Sequence, residues 1–479
     1  MNMSCLQLWP IGPELALGAG ALLGVALAAF TLKRARWLTS VWASLVLLLA
    51  MGLAVQALSY PPQEVFCGTY ALDPFGSVFK LIILGTAFLS LLVIAAYFRG
   101  HGGAPHAPVL LLFATLGGVG LAGSLDLGLI VLFLQLLSGA SYLLVGLSRG
   151  SRRANEATMK YFVYGAVALA VMAYGLSFLY GLTGSLNLAA IGAALGGADP
   201  VWVWLALVLV LVGYGFEITL VPFHFWAPDV YDGASAPVAG LISVLPKVAG
   251  FAGLLRLLLT AFPHGLVNWP TLVAVLAALS MLLGNLAALR QKGLKRLLAY
   301  SSIAQAGYIL MAVAAAPSAQ DALAACGYYL AAYALMNIAA FAVVAQLERH
   351  AGAGGVADLR GLGRSAPGSA AALTLALLSL AGFPPLAGFA GKVLLFTPAL
   401  SAGLSWLAVF AALNMVVGLY YYLRPITEMY LQAPQTPTTL HRQPGYPLAL
   451  WLCTAGTLLL GIWPAPVLAL MARLAVLVR

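Results

Sequence analysis

Fourteen stretches of about twenty apolar residues follow one another along this chain, separated by short polar turns, and nothing else limits its fold as severely. Each is long enough to cross the hydrocarbon of a bilayer as a helix. They fall near 13–32, 38–58, 75–97, 107–124, 126–147, 157–181, 201–222, 234–261, 270–289, 298–316, 321–347, 368–398, 402–431 and 446–471. Between the fourth and fifth, only Ser124 to Asp126 marks a turn. Just 8% of the 479 residues are charged, against roughly 25% in a water-soluble domain. The chain therefore reads as an all-α polytopic membrane protein dissolved in the lipid bilayer. Met1 to Glu14 lacks the basic start of a cleavable signal, and the run after it is long enough to span.

The net charge of +10 is a topology signal rather than a nucleic-acid footprint. Alternate loops carry Lys33, Arg34, Arg36; Arg99; Arg149, Arg152, Arg153, Lys160; Arg290, Lys292, Lys295, Arg296; Arg349, Arg360, Arg364; and Arg424, Arg442, which is 17 of the 23 basic residues. The opposite side holds Glu14, Glu64, Asp73, Asp126, Asp199 and Asp321, with Arg473 and Arg479 at the tail. Basic loops stay in the cytoplasm. The expected location is a bacterial cytoplasmic (inner) membrane with both termini on the outer, periplasmic side.

Three segments look too interrupted to be simple rods. The seventh runs through Glu217 into VPFHFWAPDVYDGASAPV (221–238), the eighth has Pro246 before Lys247, and the twelfth contains AGFPPLAGFAGK (381–392). Proline removes a backbone donor and clashes with the preceding turn. In lipid such breaks persist only where protein or a water-filled cavity covers them. Broken helices five apart point to two inverted five-helix repeats, helices 4–8 and 9–13, with an ion site near the breaks in helices 7 and 12. The expected division is 1–106 as an N-terminal three-helix segment, 107–261 and 262–431 as the repeats, and 432–479 as the last helix.

Glu217, Lys247 and Lys392 place charge deep in apolar segments, where even a lenient scale puts the cost at about 2.5–3.5 kcal/mol each. Such charges are expected to move protons or ions. A lysine in low dielectric can load and release a proton; the alternative for Lys247 is a lysine that only pins a carboxylate. For Lys392 the alternative is a snorkelling lysine at a helix end. Glu217 is expected to pair with Lys247, one helix away. His224, past the break, could pass protons from the cytoplasmic side, or could serve as a structural histidine. Lys80 and Arg256 lie nearer helix ends and read as snorkelling or packing residues. Tyr300, Ser301, Ser302 and Gln305 could line a polar path, with helix–helix hydrogen bonding as the alternative.

The four cysteines (Cys5, Cys67, Cys326, Cys453) include no CxxC pair, which argues against an iron–sulfur or zinc site. No glycine-rich phosphate fingerprint follows a strand pattern. The chain is thus expected to carry no cofactor and to bind no nucleic acid. Cys5 and Cys67 both fall on the outer side; isolated thiols are expected, with a bridge between them as the alternative.

Four blocks in order, LVPFHFWAPDVYDGASAPV (220–238), LKRLLAYSSIAQAGYIL (294–310), SLAGFPPLAGFAGK (379–392) and GLYYYLRPITEMYL (418–431), resemble subunit N of bacterial respiratory complex I, a branch of the Mrp-antiporter-like group. The resemblance covers helices 4 to 14. Subunit M of that group has glutamate where this chain has Lys392, and subunit L carries a long lateral helix beyond its last spans, whereas eight residues follow residue 471 here. The resemblance implies a proton-translocating subunit of NADH:quinone oxidoreductase, part of a translocase enzyme but without a redox centre of its own. Flavin, iron–sulfur clusters and quinone would sit on other subunits, and the antiporter-like subunit M and the small subunit K would be its neighbours.

The family pattern has a glutamate on helix 5 and lysines on helices 7, 8 and 12. Lys247 and Lys392 match the last two. Aligning LFLQLLSGASYLLVG (132–146) puts Gln135 at the glutamate, and aligning GYGFEITLVPFHFW (213–226) puts Glu217 at the helix-7 lysine. The usual acid–lysine pair cannot form, so the pair is expected to move to Glu217 and Lys247, with Gln135 as a hydrogen-bonding neighbour. Two other readings remain: a cation/proton antiporter subunit of the Mrp type or of a membrane-bound hydrogenase, and a structural spacer that has lost pumping. Antiporter subunits usually read PFH.WLPDAH where this chain has PFHFWAPDVYDG, which favours the first reading.

Overall fold

The computed structural model describes residues 11–30, 37–99, 105–147, 151–262, 265–351, 354–433, 440 and 443–475. Cys5, Lys33, Arg34, Arg36, Arg149, Arg442 and Arg479 lie outside the described residues. In chain order the elements are α1 (Gly12–Phe30), α2 (Leu38–Ala57), β1 (Gln63–Val65), β2 (Tyr70–Leu72), α3 (Pro74–Phe98), α4 (His106–Gly123), α5 (Leu127–Val145), α6 (Arg152–Thr183), α7 (Leu188–Leu195), α8 (Pro200–Glu217), α9 (Trp226–Gly233) and α10 (Ala236–Ala261). They continue as α11 (Trp269–Leu289), α12 (Leu294–Ala315), α13 (Ala322–Ala351), α14 (Leu362–Ser365), α15 (Pro367–Ala381), α16 (Ala387–Ser401), α17 (Ser405–Leu431), α18 (Gly445–Ile462) and α19 (Ala465–Met471). Among the described residues, 13 helices are long and apolar enough to cross a membrane. The expected twelfth span is divided into α15 and α16, and the expected seventh into α8 and the short α9.

Local sequence sets the helix starts. Asp73 caps α3 by accepting from Gly76 N at 2.7 Å, with Pro74 at the first position, and Asp126 caps α5 by accepting from Gly128 N at 2.8 Å. Each cap satisfies a backbone donor that a helix leaves free at its start. The turn between helices 4 and 5 is thus fixed by Asp126. By contrast, α10 runs unbroken through Pro246, so the eighth segment is a single rod. Its packing on all sides holds the helix across the donor that proline removes.

Burial sorts the helices. In α10, α12 and α13 nearly every residue is covered, whereas α1, α2, α6 and α18 keep large apolar side chains on the surface. A helix apolar all round belongs at the centre of such a bundle, and these three form that centre. The hairpin was not expected from sequence. Its strands pair antiparallel with Gln63 opposite Leu72, and Asn187 Nδ2 donates to Gly68 O at 2.7 Å. This hairpin caps the face on which α1 and α3 begin and α4 ends. Cys67 is disulfide-bonded, which replaces the isolated thiol expected there; Cys326 and Cys453 are free and buried.

Candidate functional site: a polar path through the bundle

Lys247 is fully buried near the middle of α10. Its Nζ donates to Thr219 Oγ1, and that hydroxyl in turn donates to Ile218 O at 2.6 Å. Thr219 lies in the break between α8 and α9 with a φ of 60°. A β-branched residue adopts that left-handed conformation only under constraint. The break therefore holds a strained backbone at the residue that meets Lys247.

Glu217, the last residue of α8, is 4% exposed. Its Oε2 accepts from Ser138 Oγ at 3.0 Å, and its Oε1 has no hydrogen-bond partner among the described residues. Its side chain lies against Gly250, where an added Cβ would meet Glu217 Cγ at 3.5 Å. Gly250 is about one turn beyond Lys247 on α10. The expected direct pairing of Glu217 with Lys247 does not form: Ser138 takes the carboxylate and Thr219 the ammonium. The turn after Glu217 interposes the Thr219 hydroxyl, which explains the separation.

Gln135 also departs from expectation. It is exposed on α5 and is not hydrogen-bonded to Glu217, although both line one narrow cleft. Ser138, less than a turn further along α5, is on the buried face and supplies the contact. His224 sits in the same break, 4% exposed, with its ring 4.5 Å from that of Phe225. Its Nδ1 has no partner among the described residues.

At the other break, Lys392 Nζ donates to Leu380 O at 2.8 Å and Ala381 O at 3.0 Å. These are carbonyls of the last turn of α15, where the helix leaves acceptors free and the dipole is negative. The ammonium also lies 5.0 Å from the centroid of the Tyr308 ring. Lys392 is 2% exposed, so it points into the bundle and does not snorkel. Ser379 Oγ accepts from Gly388 N at 2.9 Å, which ties α16 to α15 across the break.

Buried polar side chains lie between the two lysines. One turn before Lys247, Ser243 Oγ accepts from Asn337 Nδ2 of α13. Tyr333 Oη, also on α13, lies 3.3 Å from Ser243 O and donates to Ser302 Oγ at 2.8 Å. On α12, Gln305 follows Ser302 and its Nε2 donates to Leu380 O at 3.1 Å, the same carbonyl that accepts from Lys392. Tyr422 braces this segment through Ser301 (2.5 Å) and Gln305 (2.9 Å). Ser301, Ser302 and Gln305 thus form interhelical hydrogen bonds, and these bonds also line the path. Tyr300 forms no side-chain hydrogen bond in this path among the described residues.

Two cations were misread. Lys80 pairs with Glu14 at 2.7 Å, and Arg256 pairs with both oxygens of Asp73 at 2.9 Å, the latter pair with 0% side-chain exposure. They form buried ion pairs rather than snorkelling or merely packing, because Lys80 of α3 meets Glu14 of α1 and Arg256 of α10 meets Asp73 at the start of α3. Ser138, Thr219, Tyr333 and Asn337 were missed altogether. Only Asn337 carried a signal, as an amide within the apolar α13; hydroxyl residues are inconspicuous in apolar helices because they can bond to their own helix. Among the described residues no group of three or more His, Cys, Asp or Glu could hold a metal ion.

Comparison with known proteins bears on this geometry. A family described as NADH:quinone oxidoreductase/Mrp antiporter, transmembrane, matches residues 124–418. NADH-quinone oxidoreductase subunit N of Trichlorobacter lovleyi is 39% identical over 89% of this chain and 88% of its own. A chain of respiratory complex I from Thermus thermophilus, solved with bound aureothin, superposes with a TM-score of 0.82 at 36% identity, covering 95% of this chain and 98% of that one. A chain of the Mrp complex from Dietzia shares the fold at a TM-score of 0.86, covering 99% and 97%, but is only 22% identical. The chain belongs to the NADH:quinone oxidoreductase/Mrp antiporter family of proton-translocating membrane subunits, on its subunit N branch.

Proposed function

We propose that this chain is a proton-translocating unit in the membrane arm of NADH:quinone oxidoreductase, and that Lys247 and Lys392 are its two proton-carrying amines. The observation that carries the reading is the set of buried polar groups that lies between them, in two hydrogen-bonded segments: Ser243, Asn337, Tyr333 and Ser302, beginning one turn from Lys247, and Gln305 with Leu380 O at Lys392. A buried ammonium held only by a hydroxyl or by carbonyls has no countercharge in contact. Each lysine is therefore poised to give up its proton when a neighbouring charge changes. His224, in the α8–α9 break, supplies protons from the cytoplasmic side. Glu217 is the switch: its one unpartnered oxygen can take a proton, and its charge acts on Lys247 across Thr219.

Quinone reduction on other subunits drives the cycle, and NADH, flavin and iron–sulfur chemistry belong to those subunits. Subunits M and K are the membrane-arm neighbours. The positive-inside pattern puts the termini on the periplasmic side. The disulfide-bonded Cys67, on the face capped by the hairpin, supports the same orientation, since disulfides persist in the periplasm and are rare in the cytosol.

Proton translocation by the purified complex in liposomes tests the reading. Lys247→Ala should lower protons moved per electron pair while the complex stays assembled. An unchanged yield would leave the chain as a spacer. That second reading draws on the missing Glu217–Lys247 contact, and Glu217→Gln addresses it: a pump that uses the switch loses yield, and a spacer does not.

A further inference from the structure

Beneath the hairpin, two ion pairs and a tyrosine form one buried cluster drawn from α1, β2, α3 and α10. Tyr70 Oη donates to Glu14 Oε1 at 2.5 Å, and Lys80 Nζ binds the same oxygen at 2.7 Å. Glu14 Oε2 has no hydrogen-bond partner among the described residues, although the residue is only 7% exposed. The Arg256–Asp73 pair lies close enough for both charges to act on Tyr70. Arg256 Nε donates to Ala122 O at 3.0 Å, and Tyr70 packs on Gly123 next to it. Of the charged groups in the cluster Glu14 is the least covered, its side chain keeping 8% exposure against 1% for Lys80 and 0% for Asp73 and Arg256.

A second set of groups leads from the pump site toward this cluster. Tyr214 precedes Glu217 by three residues on α8, so the two share a face. They lie against Gly253 and Gly250 of α10: an added Cβ would meet Tyr214 Oη at 3.0 Å and Glu217 Cγ at 3.5 Å. The two glycines let α8 approach α10 where these polar groups sit. Tyr214 is fully buried, and its Oη has no hydrogen-bond partner among the described residues. From Gly253 to Arg256 is about 4.5 Å along the helix.

We propose that protons leave this unit toward the hairpin face by way of Glu217, Tyr214 and Tyr70, with Glu14 as the terminal carboxylate. In the last step Tyr70 Oη accepts a proton from the Tyr214 side as its own O–H proton passes to Glu14, so the phenol ends neutral. Glu14 then releases that proton to the aqueous phase and returns to its ion pair with Lys80. Arg256 and Asp73 stay charged throughout and orient the phenol.

This route rests on the pumping role of Lys247, so the test includes that variant. Protons translocated per electron pair are measured in liposomes containing the whole complex with Lys247→Ala, Tyr214→Phe, Glu14→Gln or Glu14→Asp. The route predicts that Tyr214→Phe and Glu14→Gln fall to the yield of Lys247→Ala, and that Glu14→Asp, which keeps an ionisable carboxyl, retains more yield than Glu14→Gln. Parental yield in Tyr214→Phe and Glu14→Gln, with Lys247→Ala still reduced, overturns the route and leaves the pump reading intact. If Lys247→Ala also pumps at the parental yield, both fail. If Glu14→Gln loses yield only in proportion to subunit lost from the complex, the cluster is structural and the route is wrong; Tyr214→Phe, which removes one oxygen without altering shape, guards against that confusion.

Discussion

Replacing Asp73 with alanine should weaken the attachment of the N-terminal helices more than any surface change could. Asp73 accepts two bonds of 2.9 Å from Arg256, with both side chains at 0% exposure. Removing one partner of a buried pair costs about 3–5 kcal/mol, because the remaining charge stays buried and uncompensated. Arg256 would keep only Ala122 O and the face of Phe75 at 4.8 Å. Asp73 also caps α3 through Gly76 N, and that loss adds about 1 kcal/mol. The sum is about 4–6 kcal/mol, a factor of at least roughly 10³ in the equilibrium for detachment. Thermal release of the subunit from detergent-solubilised complex, read on native gels, would show it. The double variant Asp73→Asn/Arg256→Met keeps the cap and removes both charges, and should return to within about 2 kcal/mol of the parent. Parental stability in Asp73→Ala, or a double variant weaker than the single one, would refute the reasoning.

Other outcomes follow from the same geometry. Lys392→Met should abolish this unit's share of proton translocation without loss of assembly, since the lysine's hydrogen bonds go to two carbonyls at a helix end and methionine keeps an apolar side chain against the Tyr308 ring; reconstituted pumping assays and native gels read the two effects separately. Tyr333→Phe removes the donor to Ser302 and should cost about 1 kcal/mol of stability while lowering protons per electron, measured on the same liposomes. Gly388→Ala would put a Cβ 1.8 Å from Ser379 O, so α16 must shift and carry Lys392 with it. The expected cost is about 1–3 kcal/mol or more, seen as a lower melting temperature together with reduced pumping.

Much of the fold was legible because a bilayer permits few solutions. Apolar runs of spanning length had to be helices, and PFHFW and GFPPLAG had to be breaks. Pro246 looked like a third break and was not, since full packing around α10 holds the helix where sequence rules would interrupt it. The hairpin was missed because its strands are three residues each, too short to show alternation. Lys247 and Lys392 stood out as charges in apolar segments. The hydroxyls that hold Glu217 and Lys247 apart did not, because serine and threonine cost an apolar helix little.

The sequence by itself determined the lipid setting, the order of helices, the two breaks and the identity of the buried charges. Each depends on local composition, read one segment at a time. Which charge meets which partner was decided only by tertiary structure. A left-handed turn at Thr219 gave Lys247 a hydroxyl, Ser138 rather than Gln135 reached Glu217, and Lys80 and Arg256 found carboxylates on α1 and at the start of α3. Those pairings depend on helix rotation and on close approach at glycines such as Gly250, and neither is encoded in hydropathy.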